Sequence, residues 1–203
     1  GNATISLRKN GASRVNADFN NFDLSGLITM LSGRAVPLAS KATGKADLSF
    51  TGTDFANANG SVNAQLTGAV PAGSDLAPLS GELAITANQG QFQIQRATLQ
   101  TAATTLTASG QFAVEQPTSN LRIDLTSTDA GELQRLLISS GAIPELEEQF
   151  RTYNLDLGGR LLFKKKLNGA LKDPIVNGHA ELASLIVNKR DVGSLSANIA
   201  LNG

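Results

Sequence analysis

The sequence of 203 residues contains no cysteine, no tryptophan and a single histidine, and only 4% of its residues are aromatic. Without cysteine, the chain can form no disulfide and can supply neither a thiolate nucleophile nor a thiolate ligand for zinc. Charged residues make up 17%, against about 25% in an average soluble domain. The 17 basic and 17 acidic side chains cancel, so no broad basic surface is available to nucleic acid. We therefore expect neither thiol chemistry nor a nucleic-acid partner.

Signals of catalysis and targeting are also missing. The sequence has no G-x-x-x-x-G-K-[ST] loop, no G-x-G-x-x-G loop opening a helix and no G-x-S-x-G elbow. No segment approaches the about 18 consecutive apolar residues of a membrane-spanning helix. The chain begins with glycine and has no signal peptide, which suggests an internal piece of a longer protein. We expect no enzyme activity, no cofactor and no metal, and one continuous β-rich repeat region over residues 1–203.

Alternation of apolar and polar residues is the dominant pattern. Such period-2 alternation is typical of strands with one apolar and one polar face. Its apolar positions are Val15/Ala17/Phe19, Ala46/Leu48/Phe50, Val62/Ala64/Leu66, Leu83/Ile85/Ala87, Leu121/Ile123/Leu125, Leu155/Leu157/Gly159/Leu161/Phe163 and Leu195/Ala197/Ile199/Leu201. The sequence therefore predicts a mainly β fold of short antiparallel strands.

Glycines interrupt this alternation at regular intervals. Because glycine and asparagine tolerate the positive φ of tight turns, we expect hairpin turns at these dipeptides. They are Asn10-Gly11, Thr43-Gly44, Asn59-Gly60, Thr67-Gly68, Gln89-Gly90, Ser109-Gly110, Asn168-Gly169 and Asn177-Gly178. The phase of alternation also slips near Gln95-Arg96 and Ala183-Ser184, where a β-bulge would restore the facing and curve the sheet.

Short helices are predicted between the strands. The first lies near 23–32, where Leu and Ile recur at helical spacing. The second lies near 129–140 and starts with Asp129 and Glu132 at the spacing of a capping box. The third lies near 144–151 and starts with proline, which suits the first turn of a helix.

Polar candidates for a functional site are few. His179 has no nearby partner in the sequence for catalysis or metal binding, which favours a surface or strand-edge histidine. The run of Lys164, Lys165 and Lys166 is the densest basic feature. It is either a basic rim that meets phospholipid headgroups or an anionic partner, or a solvated strand end whose lysines prevent edge-to-edge aggregation.

The apolar face must itself be covered. Leaving apolar surface in contact with water costs about 25 cal/mol per Å², which becomes a large free energy over many strands. Two coverings are compatible with the pattern. One is an ordinary two-sheet sandwich core, which periodicity alone favours. The other is a hydrophobic groove that is open to acyl chains.

The second half of the sequence contains four distinctive segments, each of which occurs once. A short Leu-rich helix precedes a G-G-x-L strand, an L-x-D-P-x-V-x-G link and a G-x-L-x-A strand. These segments are Ser127–Leu137, Gly158–Leu161, Leu171–Gly178 and Gly193–Ala197. With this order, the chain resembles the repeating region of the TamB and AsmA-like family, most clearly over residues 127–201.

The resemblance implies an elongated antiparallel sheet curled into a taco-shaped or U-shaped trough with an aliphatic interior. It also implies a segment of an envelope-spanning bridge of diderm bacteria, in the periplasm, with the full-length protein anchored in the inner membrane. Such proteins are implicated in transferring phospholipids between the inner and outer membranes without catalysis, and some are linked to a BamA-like outer-membrane barrel. The implied partners are therefore phospholipid acyl chains, the two membranes and such a barrel.

On this interpretation the aliphatic face is the lipid groove. Its candidate residues are Leu48, Phe50, Val62, Leu66, Leu83, Ile85, Phe92, Ile94, Leu121, Ile123, Leu125, Leu157, Leu161, Phe163, Leu195 and Ile199. The candidate contacts for headgroups or a protein partner are Lys164, Lys165 and Lys166.

Two other hypotheses fit the same residues. A closed structural β-solenoid, as in a secreted or surface adhesin, would also combine Gly/Asn turns with no catalytic constellation. A carbohydrate-active enzyme would need paired carboxylates on neighbouring strands, for which Asp47, Asp124 and Asp156 are the candidates.

Overall fold

The computed structural model describes residues 2–4, 11–26, 37–52, 54–70, 73–74, 76–113, 116–140, 144–170 and 173–202. Most of these residues belong to strands. The strands are β1 Asn2–Thr4, β2 Ala12–Asp23, β3 Leu38–Thr51, β4 Asp54–Gly68, β5 Ala77–Pro78, β6 Ser80–Asn88, β7 Gln91–Gln100, β8 Thr104–Ala113, β9 Ser119–Ser127, β10 Leu157–Ala170, β11 Asp173–Val187 and β12 Arg190–Asn202. The helices are α1 Ala130–Ser140 and α2 Pro144–Thr152, and residues 24–26 are also helical.

All strands except β5 form a single antiparallel path in sequence order. The order is β1-β2-β3-β4-β6-β7-β8-β9-β10-β11-β12, and β5 pairs in parallel with β3 beside this path. The first and last strands of the path do not pair, so the sheet is not closed into a barrel. The prediction of a mainly β fold on one long, curled antiparallel sheet is confirmed. A β-solenoid, whose coils stack parallel strands, is a different architecture.

The predicted facing of the alternating residues is confirmed by the strand registers. Val15 lies opposite Leu48, and Val62 lies opposite Ile85. Residues that pair directly across an antiparallel sheet project from the same face. The alternating apolar residues therefore share one face, which we call the apolar face, and the intervening polar residues lie on the opposite, polar face.

Most glycine dipeptides lie inside strands, so the prediction of hairpin turns there is wrong. Thr43-Gly44 is within β3, Asn59-Gly60 within β4, Ser109-Gly110 within β8 and Asn177-Gly178 within β11. Thr67-Gly68 and Asn168-Gly169 also belong to strands, β4 and β10. Gln89-Gly90 does form the turn between β6 and β7. In Asn10-Gly11, residue 10 lies outside the described residues.

Gly60 shows what a glycine does inside a strand. Its φ is +130°, and a Cβ added there would come within 1.9 Å of the carbonyl oxygen of Asp47. Such a close approach of one backbone to the next is available only to glycine and accompanies a sharp local bend. Gly60 therefore permits two backbones to approach closely within long strands instead of ending a short one.

Both predicted β-bulges are confirmed. Between β6 and β7 the register passes from Ala84 opposite Arg96 to Ile85 opposite Ile94, which leaves Gln95 as the extra residue. Between β11 and β12 the register shifts after Leu182, and Ser184 has a positive φ of 53°. Each bulge returns the following apolar residues to the apolar face and increases the local bend.

The helices lie between β9 and β10, where the second and third were predicted. For the helix predicted near 23–32, residues 27–32 lie outside the described residues. Asp129 caps α1, because its Oδ1 accepts a hydrogen bond of 2.9 Å from the amide of Gly131. The capping box is wrong in its second half: Glu132 bonds to the hydroxyls of Thr101 and Thr104, and the amide of Asp129 donates to Ser127 Oγ.

Burial along the sheet is shallow. The accessible surface is 12403 Å², whereas a compact monomer of this mass exposes about 9,000 Å². Only five large apolar side chains of the described residues are buried, and they are Phe50, Leu66, Ile94, Leu121 and Leu167. The apolar face is thus mainly half-buried, as expected for a curled sheet without a thick core.

Candidate functional site

The apolar face is a continuous surface that crosses most of the sheet. One row of residues that pair in succession from β3 to β10 consists of Ala46, Val62, Ile85, Ile94, Gly110, Leu121 and Leu167. A second row beside it runs through Gly44, Ala64, Leu83 and Ala97 as far as β7 and, beyond a register shift between β7 and β8, through Ala108, Ile123, Lys165 and Gly178. Side chains that are directly opposite in such rows lie about 5 Å apart and pack together.

Two clusters of buried residues lie on this face. The central cluster contains Ile94, Ala97, Leu121 and Leu167, against which half-buried residues such as Ile85 and Ile123 pack. The lateral cluster contains Phe50, Ala58 and Ala87, with Leu48 and Phe92 packed against it. Phe92 in turn stacks on Phe112 of the next strand, with ring centroids 4.9 Å apart and planes 8° apart. These two clusters are the parts of the apolar face where burial of side chains contributes most to the stability of the sheet.

The candidate groove residues differ in burial. Four are buried, namely Phe50, Leu66, Ile94 and Leu121. Ten are half-buried, namely Leu48, Val62, Leu83, Ile85, Phe92, Ile123, Leu125, Leu157, Leu161 and Phe163. Leu195 on β12 is 52% exposed. Ile199 lies on the same strand, and its side chain lies outside the described part of the chain.

An apolar cavity of about 620 Å³ opens at the β2 end of the apolar face. This volume is within the range of about 300–1,000 Å³ that is typical of sites for small ligands. Aliphatic and aromatic side chains from β2, β3, β4 and β6 line it, among them Phe19, Phe22, Ala42, Val62, Leu66 and Leu83. Three candidate groove residues, Val62, Leu66 and Leu83, line this cavity, whereas Phe19 and Phe22 come from the neighbouring strand β2 and were not among the candidates.

The three consecutive lysines are divided between the two faces of the sheet. Lys164 lies opposite Asp124 and His179, and Lys166 lies opposite Arg122 and Asn177, all on the polar face. Lys165 lies between Ile123 and Gly178 on the apolar face and is half-buried. Lys165 occupies the apolar phase of the alternation along β10, in the series Leu161, Phe163, Lys165 and Leu167.

The charges of the polar face are arranged differently at its two ends. On β2, β3, β6 and β7, ion pairs join Arg14 to Asp47 at 3.6 Å, Lys45 to Asp18 at 3.2 Å and Arg96 to Glu82 at 3.1 Å. On β9 and β10, Arg122 directly faces Lys166, which is an unfavourable pairing of like charges. These two residues line a shallow depression of about 550 Å³ together with Asp124, Lys164, Lys165, Asn177, Gly178 and His179.

The other polar candidates are dispersed. His179 Nδ1 lies 2.9 Å from Asn198 Oδ1 on the exposed part of β12. Asp47 and Asp124 lie on β3 and β9, which are not neighbouring strands, and Asp156 precedes β10. Paired carboxylates on neighbouring strands, which the carbohydrate hypothesis requires, are therefore not formed by Asp47 and Asp124. No group of three potential metal ligands occurs among the residues that the structure describes.

Sequence reasoning missed the contacts that fix α1 to the sheet. The side chain of Gln134 is buried; its Oε1 accepts a hydrogen bond of 2.7 Å from the amide of Leu157, and its Nε2 donates to the carbonyl of Leu155. These bonds hold the helix against the beginning of β10. A buried glutamine on an otherwise leucine-rich helix was the available signal.

Comparison with known proteins adds no assignment. No protein-family model, curated protein or solved structure matches the chain. In the described residues, no helix combines the length and the hydropathy needed to cross a lipid bilayer.

Proposed function

We propose that the chain is a non-enzymatic segment of a bacterial envelope protein, whose apolar face carries phospholipid acyl chains between the inner and outer membranes. The observation that carries this proposal is the apolar face itself: many large aliphatic side chains, side by side over successive strands, that are only half-buried. Apolar patches of this extent on a soluble surface commonly mark interaction sites for lipid or protein.

The chemistry of the face suits chains of methylene groups. Burying one methylene group on an apolar surface contributes about 0.8 kcal/mol, so an acyl chain that lies along several strands gains affinity without specific polar contacts. The walls are mostly Leu, Ile, Val and Ala, which offer no ring-stacking specificity. Acyl chains would be shielded while headgroups stay in water, and no covalent step is required.

The resemblance to the TamB and AsmA-like family supplies the cellular setting of this proposal. It supports a periplasmic location, two membranes as source and destination, and a BamA-like barrel as a partner of the whole protein. The fold supports the proposal over the adhesin hypothesis, because an antiparallel path that remains unclosed differs from the stacked parallel coils of a solenoid.

Photocrosslinking with a phospholipid that carries a diazirine in its acyl chain tests the proposal. Ile85→Asp places a charge on the apolar face, and Thr86→Asp places the same charge on the adjacent, exposed position of the polar face. We expect Ile85→Asp to reduce labelling by about tenfold, since a carboxylate must be desolvated wherever an acyl chain covers it. Labelling of Thr86→Asp should equal that of the wild type.

Circular dichroism shows whether each variant keeps the β-sheet, and only variants that keep it are compared. Ile85→Gln replaces the charged variant if Ile85→Asp unfolds, and Ile123→Asp repeats the test on β9. Undiminished labelling of folded variants at both positions would contradict the proposal.

A further inference from the structure

Lys165 is the one charged residue in the two rows of the apolar face described above. Its neighbours across the sheet are Ile123 and Gly178, and its neighbours along the same face of β10 are Phe163 and Leu167. None of these four side chains carries a charge. Leu167 belongs to the central cluster, and Ile123 packs against it. The lysine therefore borders the apolar surface on which an acyl chain would lie.

Among the described residues, none supplies a counter-ion to Lys165. The carboxylate nearest in register, Asp124, belongs to the polar face and lies opposite Lys164. Within the part of the chain that the structure describes, Lys165 has no carboxylate within the 4.0 Å of an ion pair, in contrast to Arg14, Lys45 and Arg96. An unpaired ammonium among apolar neighbours loses part of its hydration without electrostatic compensation.

The position of Gly178 leaves space beside the lysine. A methyl group added at Gly178 would lie 3.7 Å from Lys165 Cβ and 3.2 Å from the carbonyl oxygen of Lys164. Because glycine carries no side chain, the flank of Lys165 toward β11 is free of the packing that Ile123 provides on the other flank. An anionic group can reach the ammonium from this side while its chain lies over Ile123 and Leu167.

We propose that Lys165 is a binding residue for the negatively charged head of an acyl-chain amphiphile held on the apolar face. The head is a phosphate or carboxylate group, and the chain lies on the central cluster. This inference rests on the proposed function and adds to it the residue that contacts the anionic head of the ligand. Lys164 and Lys166 lie on the opposite face and do not take part.

Neighbouring lysines on opposite faces provide a matched pair of variants, Lys165→Met and Lys164→Met. Both remove one charge and keep an unbranched side chain. The probes are dansylaminoundecanoic acid, an anionic fluorescent fatty acid, and its methyl ester, which has the same chain without the charge. Dansyl fluorescence is readable without interference, because the protein contains no tryptophan.

We expect Lys165→Met to weaken binding of the acid by about fivefold to tenfold, as for the loss of one partly exposed charged contact. Binding of the ester should be unchanged in this variant. Lys164→Met should bind both probes like the wild type. Lys165→Arg, which keeps the positive charge, should bind the acid within about twofold of the wild type.

The opposite outcomes are distinguishable. If wild-type protein binds neither probe, the proposed function fails and this inference fails with it. If wild-type protein binds both probes and Lys165→Met changes both equally or neither, the groove stands and the role of Lys165 is overturned. An equal loss in Lys164→Met would also overturn the role of Lys165, because that side chain belongs to the other face.

Discussion

The hydroxyl of Thr104 donates a hydrogen bond of 2.6 Å to the carboxylate of Glu132, although one residue begins β8 and the other lies in the first turn of α1. The hydroxyl of Thr101 donates to the same oxygen at 2.7 Å. Glu132 is only 7% exposed. Its buried carboxylate therefore accepts hydrogen bonds from uncharged hydroxyl groups away from water. The contact joins the helix to the turn between β7 and β8.

Removing this carboxylate is expected to destabilise the protein. In Glu132→Ala, two hydroxyl groups and the amide of Ala103 lose their acceptor, so the free energy of unfolding should fall by about 2–3 kcal/mol. Urea denaturation followed by circular dichroism measures the change. Glu148→Ala on the exposed surface of α2 is the control and should change it by less than about 0.5 kcal/mol. Equal effects of the two variants would contradict the structural role of Glu132.

Gly60 offers a test of how the strands bend. Gly60→Ala forces a Cβ against the carbonyl oxygen of Asp47, whereas Gly73→Ala, at φ +77°, meets nothing within 4 Å. Gly73→Ala should lower the free energy of unfolding by about 1 kcal/mol, because of its positive φ alone. Gly60→Ala should lower it by at least about 2 kcal/mol more, because β3 and β4 must separate. Thermal or urea unfolding gives both values. A similar cost at both positions would show that β3 and β4 do not approach each other closely at Gly60.

The stacked pair Phe92 and Phe112 is expected to be energetically coupled. A double-mutant cycle with Phe92→Leu and Phe112→Leu should give a coupling of about 0.5–1.5 kcal/mol in the free energy of unfolding. Leu99 and Leu106 pair directly on the same two strands and provide an aliphatic comparison. Replacing both with alanine should show a smaller coupling, since no rings stack there. A coupling of zero for the phenylalanines would contradict their contact.

Much of the fold was readable from the alternation of residues. Period 2 is a property of the extended chain itself, so Val62, Ile85 and Leu121 could be assigned to one face before any pairing was known. The two phase slips located the bulges for the same reason. The alternation also continues through Lys165, which makes its facing predictable.

Glycine was misread because its permissive backbone suits two different situations. Gly90 lies in a turn and Gly60 inside a strand, although both have positive φ and a backbone carbonyl close by. Which of the two applies depends on the partner strand, which local sequence does not specify. The partners of Glu132 and Gln134 were unpredictable for the same reason, since they come from residues more than 20 positions away.

The strand order has a consequence for folding and for length. Every strand on the main path bonds to its nearest neighbours in the chain, apart from the bypassed β5 and the helices between β9 and β10. Each strand therefore pairs mainly with the strands beside it in chain order, so the sheet can grow strand by strand from an initial pair. Adding one hairpin would extend the sheet by about 10 Å without changing any existing pair. Duplication of strands can therefore lengthen such a sheet during evolution while the existing strand pairs are kept.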